Sequence, residues 1–220
     1  LDAGELVLSG TGTTNINVAN TTINSGRILG ASGSKYSVVS TIGDINTTYT
    51  ASTISNPTDA GVGANLTFKA KNLNFGGYVD APSGSVTLQS TSGDLNVSNG
   101  ANIDVSTKPA SFNDQLRYSD AGQITLQSDT SNVNVASGAT INVSGVGLAD
   151  AGKLNVNAQK GTTSIAGQLL GSAASGKRTG SMSLDVNTLS ATDLTMLNHQ
   201  LNTGSFVESR VVRVRTGDVS

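Results

Sequence analysis

Apolar residues along this chain fall in short alternating runs, and the runs themselves recur. Between Ala121 and Ser144, Ile124 and Leu126 alternate with polar residues, then Val133 and Val135, then Ile141 and Val143. The same six slots are filled upstream, at one constant offset, by Val86, Leu88, Leu95, Val97, Ile103 and Val105. Downstream, Asp120-Ala121-Gly122 recurs as Asp150-Ala151-Gly152, with Leu154 and Val156 following in the slots of Ile124 and Leu126. Alternation with period two marks a strand with one buried face. Three such strands per unit, separated by turn residues and then repeated, describe a chain that stacks on itself.

The pattern extends outward from this unit. Upstream, Leu6, Leu8, Ile16, Val18 and Ile23 would face inward, with Glu5, Val7, Asn15 and Asn17 outward. Near 27–63 the alternation weakens. Tyr36, Val38, Ile42, Ile45, Tyr49 and Ile54 fit either a strand pair or an irregular excursion, and Asn56-Pro57 signals a turn. Leu66, Phe68, Leu73, Phe75 and Val79 carry the pattern onward. Residues 107–119, with Lys108-Pro109, Phe112, Asn113-Asp114, Arg117 and Tyr118, break the repeat and read as a loop inserted at a corner. Insertions of this kind commonly gather on the binding face of a solenoid. The third unit loses its shape near 167–171, residues 172–180 read as a surface loop, and Met182, Leu184 and Val186 resume the alternation. One helix is predicted over Thr192–Asn202, where Leu194, Leu197 and Leu201 share a face. Ser190 with Asp193 would cap its start and Gly204 would end it.

The fold class expected is all-β, a right-handed parallel β-helix with one short helix near 192–202. Successive circuits would advance by about 4.8 Å, giving roughly eight to ten layers in a rod of about 40–50 Å. An antiparallel β-sandwich is the alternative, since it too has short strands and frequent turns. It does not account for slots that repeat in register.

Composition narrows the function. Apolar residues make up 36% of the 220, aromatic ones 4% and charged ones 13%, which suits a slim aliphatic core under a neutral polar exterior. With 13 basic against 15 acidic residues there is no field to hold a polyanion, so nucleic acid is not expected as a partner. The absence of cysteine excludes disulfides and thiolate metal sites. No run approaches the ~20 apolar residues of a membrane helix, so membrane insertion is not expected. The first residues show no signal peptide, and the chain reads as a segment of something longer.

Candidate chemistry is sparse. The acids are scattered with no adjacent pair, and no catalytic, cofactor or metal-ligand set emerges. Asp2, Asp59, Asp120 and Asp150 each precede Ala-Gly, which reads as a corner residue bonding its own turn, with calcium or acid/base work as the rival. His199, the one histidine, sits on the predicted helix away from any triad pattern. Arg210, Arg213 and Arg215 form a basic stripe that would engage an acidic glycan or simply blunt an edge strand. Lys177-Arg178 reads as a solvated loop, and Phe112 and Tyr118 would stack on sugars or pin their loop to the rod. Five Asn-x-Ser/Thr sequons stand at Asn20, Asn46, Asn65, Asn96 and Asn142.

Three stretches, Ala64-Asn65-Leu66-Thr67-Phe68, Asp80-Ala81-Pro82-Ser83-Gly84-Ser85-Val86-Thr87-Leu88 and Asp120-Ala121-Gly122-Gln123-Ile124-Thr125-Leu126, resemble filamentous-haemagglutinin-type exoproteins. So does the ending, Gly204-Ser205-Phe206-Val207-Glu208-Ser209 followed by Arg213-Val214-Arg215-Thr216-Gly217-Asp218-Val219. The resemblance spans most of the chain outside 27–60. It implies a large secreted bacterial surface protein, an adhesin exported by two-partner secretion through an outer-membrane transporter. The family's Asn-Pro-Asn-type secretion motif is not matched by Asn56-Pro57-Thr58-Asp59. The expectation is therefore a non-enzymatic rod at the cell surface, with glycans or receptors as partners. The alternatives are a subunit that self-associates end to end and a carbohydrate-active β-helix enzyme.

Overall fold

The computed structural model describes residues 1–50 and 58–217. Its strands follow the alternation, and they assemble as three parallel ladders that the chain visits in turn. The first ladder holds eight strands in the order Thr11–Ile16, Lys35–Ser40, Asn65–Ala70, Ser85–Ser90, Gln123–Ser128, Lys153–Ala158, Ser181–Val186 and Ser209–Val214. The second runs from the first half of Asn20–Gly30 through Asp44–Tyr49, Leu73–Gly76, Leu95–Val97 and Val133–Val135 to Thr163–Ile165. The third runs from Asp2–Leu8 through the second half of Asn20–Gly30, then Tyr78–Asp80, Asn102–Asp104 and Thr140–Asn142 to Gln168–Leu170. Because Asn20–Gly30 belongs to both, the second and third ladders form one 11-stranded sheet.

Register is set by the apolar slots. Ile124 lies on Val86 and under Leu154, Val133 on Leu95, and Ile141 on Ile103. The constant offsets of the sequence are thus the offsets of the ladders. Every pair in the two large sheets is parallel, so the antiparallel sandwich does not form. Slipping any strand by one residue would turn its buried face outward. Leu66, Phe68, Val86, Leu88, Leu95, Ile103, Ile124 and Leu126 are all buried in one continuous core. Phe68 and Phe75 meet edge-to-face there, with ring centroids 6.0 Å apart. Each buried aliphatic side chain contributes roughly 1.5–3 kcal/mol of transfer free energy.

Corners are built from side chains that reach the next circuit. Ser90 Oγ donates to the carbonyls of Lys71 and Gly93, and Ser128 Oγ donates to that of Gly93. Asp44 Oδ1 accepts from Asn72 Nδ2 at 2.8 Å, and Asp94 Oδ1 accepts from the Asn132 N–H at 3.0 Å. At another corner the backbones of Gly84, Gly122 and Gly152 stack so closely that a Cβ on Gly122 would lie 1.9 Å from the Gly84 carbonyl oxygen. Glycine is obligatory there because a neighbouring backbone fills the space.

Several expectations are revised. The stretch near 27–63 carries two regular strands, Lys35–Ser40 and Asp44–Tyr49, each in register with its ladder. Ile54 and Asn56-Pro57 lie outside the described residues. No described residue of this stretch after Gly30 adds a strand to the third ladder, and Val79 pairs directly with Ile28. Val18, expected inward, is 53% exposed, because it sits in the turn between strands. Near 167–171 the pattern survives as Gln168–Leu170, in register with Thr140–Asn142. The insertion at 107–119 is an antiparallel hairpin, Ala110–Phe112 with Gln115–Arg117, turning through Asn113 and Asp114 at φ 47° and 60°. Both residues adopt left-handed angles at modest cost, and a two-residue turn of this hand matches strand twist. Residues 172–180 carry no strand.

The helix spans Ala191–Thr203, with Ser190 accepting from the Asp193 N–H and Gly204 at its end. Leu197 and Leu201 are buried and Leu194 packs against the core. No helix among the described residues is long and apolar enough to cross a membrane.

Candidate functional site

The outward side chains form polar columns along the ladders. On the second ladder, Asn74 Nδ2 donates to Asn46 Oδ1 at 2.7 Å, Asn96 to Asn74 at 2.8 Å and Asn134 to Asn96 at 2.9 Å. In-register stacking puts each amide about 4.8 Å from the next, close enough for one side chain to bridge the gap. Two of the sequon asparagines, Asn46 and Asn96, belong to this column. Asn142 donates to Asp104 Oδ2 at 3.1 Å and Asn65 accepts from Ser85 Oγ at 2.6 Å, while Asn20 is exposed at a strand start.

Charge concentrates on the third ladder. Arg27 donates to Glu5 Oε1 at 2.9 Å and to the Thr58 carbonyl, and its other Nη stands 3.5 Å from Asp80 Oδ2. The Thr58 N–H donates to Glu5 Oε2 at 3.0 Å. Lys108, at the root of the inserted hairpin, donates to Asp59 Oδ1 at 2.9 Å. Asp104 is the register partner of Asp80, so two carboxylates share one column, with Tyr78 two positions before Asp80 on the same strand face.

The electrostatics follow from that stacking. Burial, and then the Asp104 charge, push the Asp80 carboxyl above the ordinary carboxylate range, with Arg27 pulling the other way. Burial with Asp80 and Asp104 nearby pushes the Tyr78 phenol up to about 12. The Thr58 N–H holds Glu5 below its usual value, and the hydrogen bond from Lys108 does the same for Asp59. Asp104 is also tied down structurally, accepting from the Ser106 N–H at 2.8 Å and from Asn142.

The acids preceding Ala-Gly do something other than bond their own turns. Asp120 Oδ1 accepts the Asp150 N–H at 2.8 Å, one circuit on, and Asp150 Oδ1 accepts the Arg178 N–H at 3.0 Å. Asp150 Oδ2 also accepts Arg178 Nε at 2.8 Å, and these bonds hold its carboxyl below the usual range. Asp2 accepts from Asn24 Nδ2 at 2.5 Å, again across circuits, and Asp59 is taken by Lys108. The own-turn reading gives way to bonds across circuits, to backbone N–H groups for Asp120 and Asp150 and to side chains for Asp2 and Asp59. Among the described residues, no group of three or more His, Cys, Asp or Glu is placed to hold a metal ion.

The remaining candidates are dispersed. His199 is exposed on the helix. Arg210 bonds Asn202 Oδ1 at 2.8 Å and the Phe206 carbonyl, Arg213 is exposed, and Arg215 grips Asp185 through two bonds of 2.7 Å. Tyr118 lies against the Gly147 backbone, pinning the hairpin to the loop of the next circuit. The Phe112 side chain lies outside the described part. Shallow polar grooves open elsewhere. One of about 410 Å³ is floored by Gly84, Gly122 and Gly152 and walled by Lys153, Arg178 and Glu208. Another of about 300 Å³ is lined by Gln127, Asp129, Asn157 and Gln159. Neither coincides with the charged patch.

Sequence reasoning missed the Asp80–Asp104 pair, because the two acids lie a full circuit apart along the chain and only register unites them. The signal was present: each follows the apolar slot of its third strand, after Val79 and Ile103. Comparison with known proteins supplies no relative: no family model, no curated protein and no solved structure matches the chain.

Proposed function

We propose that the chain is a rod segment, a right-handed parallel β-helix of a secreted bacterial surface protein, and that it performs no catalysis. The observation that carries this reading is the in-register recurrence of three strands around one aliphatic core, with neutral asparagine, serine and threonine columns outside. Such a stack is laterally self-sufficient and lengthens by adding circuits, which is what a spacer requires. The resemblance to filamentous-haemagglutinin-type proteins supports export by two-partner secretion, display at the cell surface, and a role in adhesion to glycans or receptors. Small-angle scattering of the purified chain, with electron micrographs of the native polypeptide that contains it, tests this. A constant thin cross-section is expected, in a native polypeptide much longer than these 220 residues. A near-spherical particle in a native chain of this size would overturn the rod.

A second reading has one observation in its favour. Asp80, Asp104, Tyr78 and Arg27 converge beside the inserted hairpin, and stacked acids next to a guanidinium that can hold a carboxylate suit cleavage of an acidic polysaccharide. Turnover of such polymers, abolished by Asp80→Asn in a folded protein, would establish it. Inertness across them leaves the rod.

A further inference from the structure

Parallel ladders end in rows of unpaired N–H and C=O groups, and such edges template pairing with another chain. At the C-terminal end the three edges are treated differently. After Ser181–Val186 no described residue adds a strand to the second or third ladder. The helix Ala191–Thr203 lies over their last strands, Thr163–Ile165 and Gln168–Leu170. Leu197 and Leu201 bury there. Gln200 Nε2 donates to the Ala166 carbonyl at 3.2 Å, and Gly204 accepts the Gly171 N–H at 2.8 Å. The backbone of Gly204 sits so close to the Leu169 carbonyl that a Cβ would fall 2.0 Å from its oxygen. Phe206, fully buried between Gly171 and Gly180, seals the exit.

The first ladder alone continues, to Ser209–Val214, and that strand is blunted by charge. In an antiparallel pairing with its own copy, centred between Val211 and Val212, Arg210 would face Arg213 twice over. Val211 and Val212 remain 55% and 42% exposed, so the strand has an apolar incentive to pair that the arginines oppose.

We infer that the helix is an edge guard: by covering the ends of the second and third ladders, it keeps this chain from pairing with a second copy through Thr163–Leu170. The inference concerns how the ladder edges are covered and goes beyond the rod reading. With the helix lifted, two parallel edges carrying Ile165 and Leu169 face solvent. The second copy is the occupant that fits, because among the described residues its opposite end carries the matching parallel edges, the opening residues of Asn20–Gly30 on the second ladder and Asp2–Leu8 on the third, each bonded on one side only.

The test compares sedimentation of the full chain with that of Leu197→Ser/Leu201→Ser over a range of concentrations. Amide exchange follows the ladders in parallel. Apparent affinity scales with the fraction of molecules in the competent state, so a variant that opens the helix about tenfold more often should associate about tenfold more tightly. Adding Ala166→Cys/Gln200→Cys, in a chain with no cysteine of its own, should abolish that association when oxidised and restore it when reduced. A variant whose ladders stay protected while the helix exchanges freely, yet which sediments as the wild type does, would overturn the guard. If the double serine variant loses ladder protection, Ser190→Ala/Asp193→Ala loosens the helix from its exposed cap alone. It should then associate more than the wild type, and equality would overturn the inference.

Discussion

At the scale of single residues, the fold depends on positions where one atom decides whether two circuits can touch. Gly122 is such a position: replacing it with alanine sets a Cβ against the Gly84 carbonyl, a rigid obstacle. We expect Gly122→Ala to cost more than about 3 kcal/mol, since backbone cannot yield as a side chain does. Gly176→Ala makes the contrast. Its φ of +80° strains alanine, but nothing stands within 4 Å. A cost of about 1–2 kcal/mol is expected there. Urea denaturation of the two variants checks the order. Tyr78 gives a pH prediction. Its phenol is held up to about 12 against an ordinary 10.0, so the folded state resists ionisation that the unfolded chain accepts. Stability from this group is full below pH 10.0 and is lost as pH rises toward 12. Ultraviolet titration of the four tyrosines should show a last step near 12, which Tyr78→Phe removes.

At the scale of elements, the helix was legible because every signal agreed: leucines at helical spacing, a serine cap shortly before an acid, and a glycine stop. Its first turn depends on Ser190, so Ser190→Ala should destabilise it by about 1 kcal/mol. The check is faster amide exchange in 191–196 with the ladders unchanged. The hairpin was less legible. Asn113-Asp114 reads as loop punctuation, and the flanking residues lack the alternation that a strand with a buried face shows. Gln115, Leu116 and Arg117 are all exposed, so no core imposed a pattern on them. Thr163 failed to register for a different reason. It occupies an inward slot that Leu95 and Val133 fill in other circuits, and its hydroxyl is satisfied by the Val133 carbonyl at 2.8 Å. A polar residue that bonds the backbone beneath it can sit in a core slot that a hydropathy pattern reserves for aliphatics.

At the scale of the whole molecule, repetition made the ladders readable, because equal slots at fixed offsets dictate which strands touch. The charged patch was not readable by the same logic. It depends on which outward residues of different circuits coincide, and on two irregular segments, at Thr58-Asp59 and Lys108, folding back over the third ladder. Irregular segments carry no period, so their side chains could not be placed before the register was known. The long strand Asn20–Gly30 is a related case. It passes from one ladder into another without a break, joining two of the three strand positions of the repeat into one sheet of 11 strands.

The unequal circuits of the first ladder carry a mechanical consequence. The circuits from Lys153 to Ser181 and from Ser181 to Ser209 are equal in length, and that from Gln123 to Lys153 is slightly longer. Ser85 to Gln123, which contains the hairpin, is the longest of the series, and Asn65 to Ser85 the shortest. The ladder hydrogen bonds run along the stack, so tension applied along it at the last strand peels rather than shears, and bonds break a few at a time. At about 3.6 Å of extended chain per residue, each circuit lost would release on the order of 70 to 140 Å. Pulled in an optical trap from its C-terminal end, the molecule should yield in uneven steps, two of similar length, then one slightly longer, then the longest and the shortest in succession. One cooperative rupture would mean that the core holds all circuits together more strongly than any ladder edge lets go.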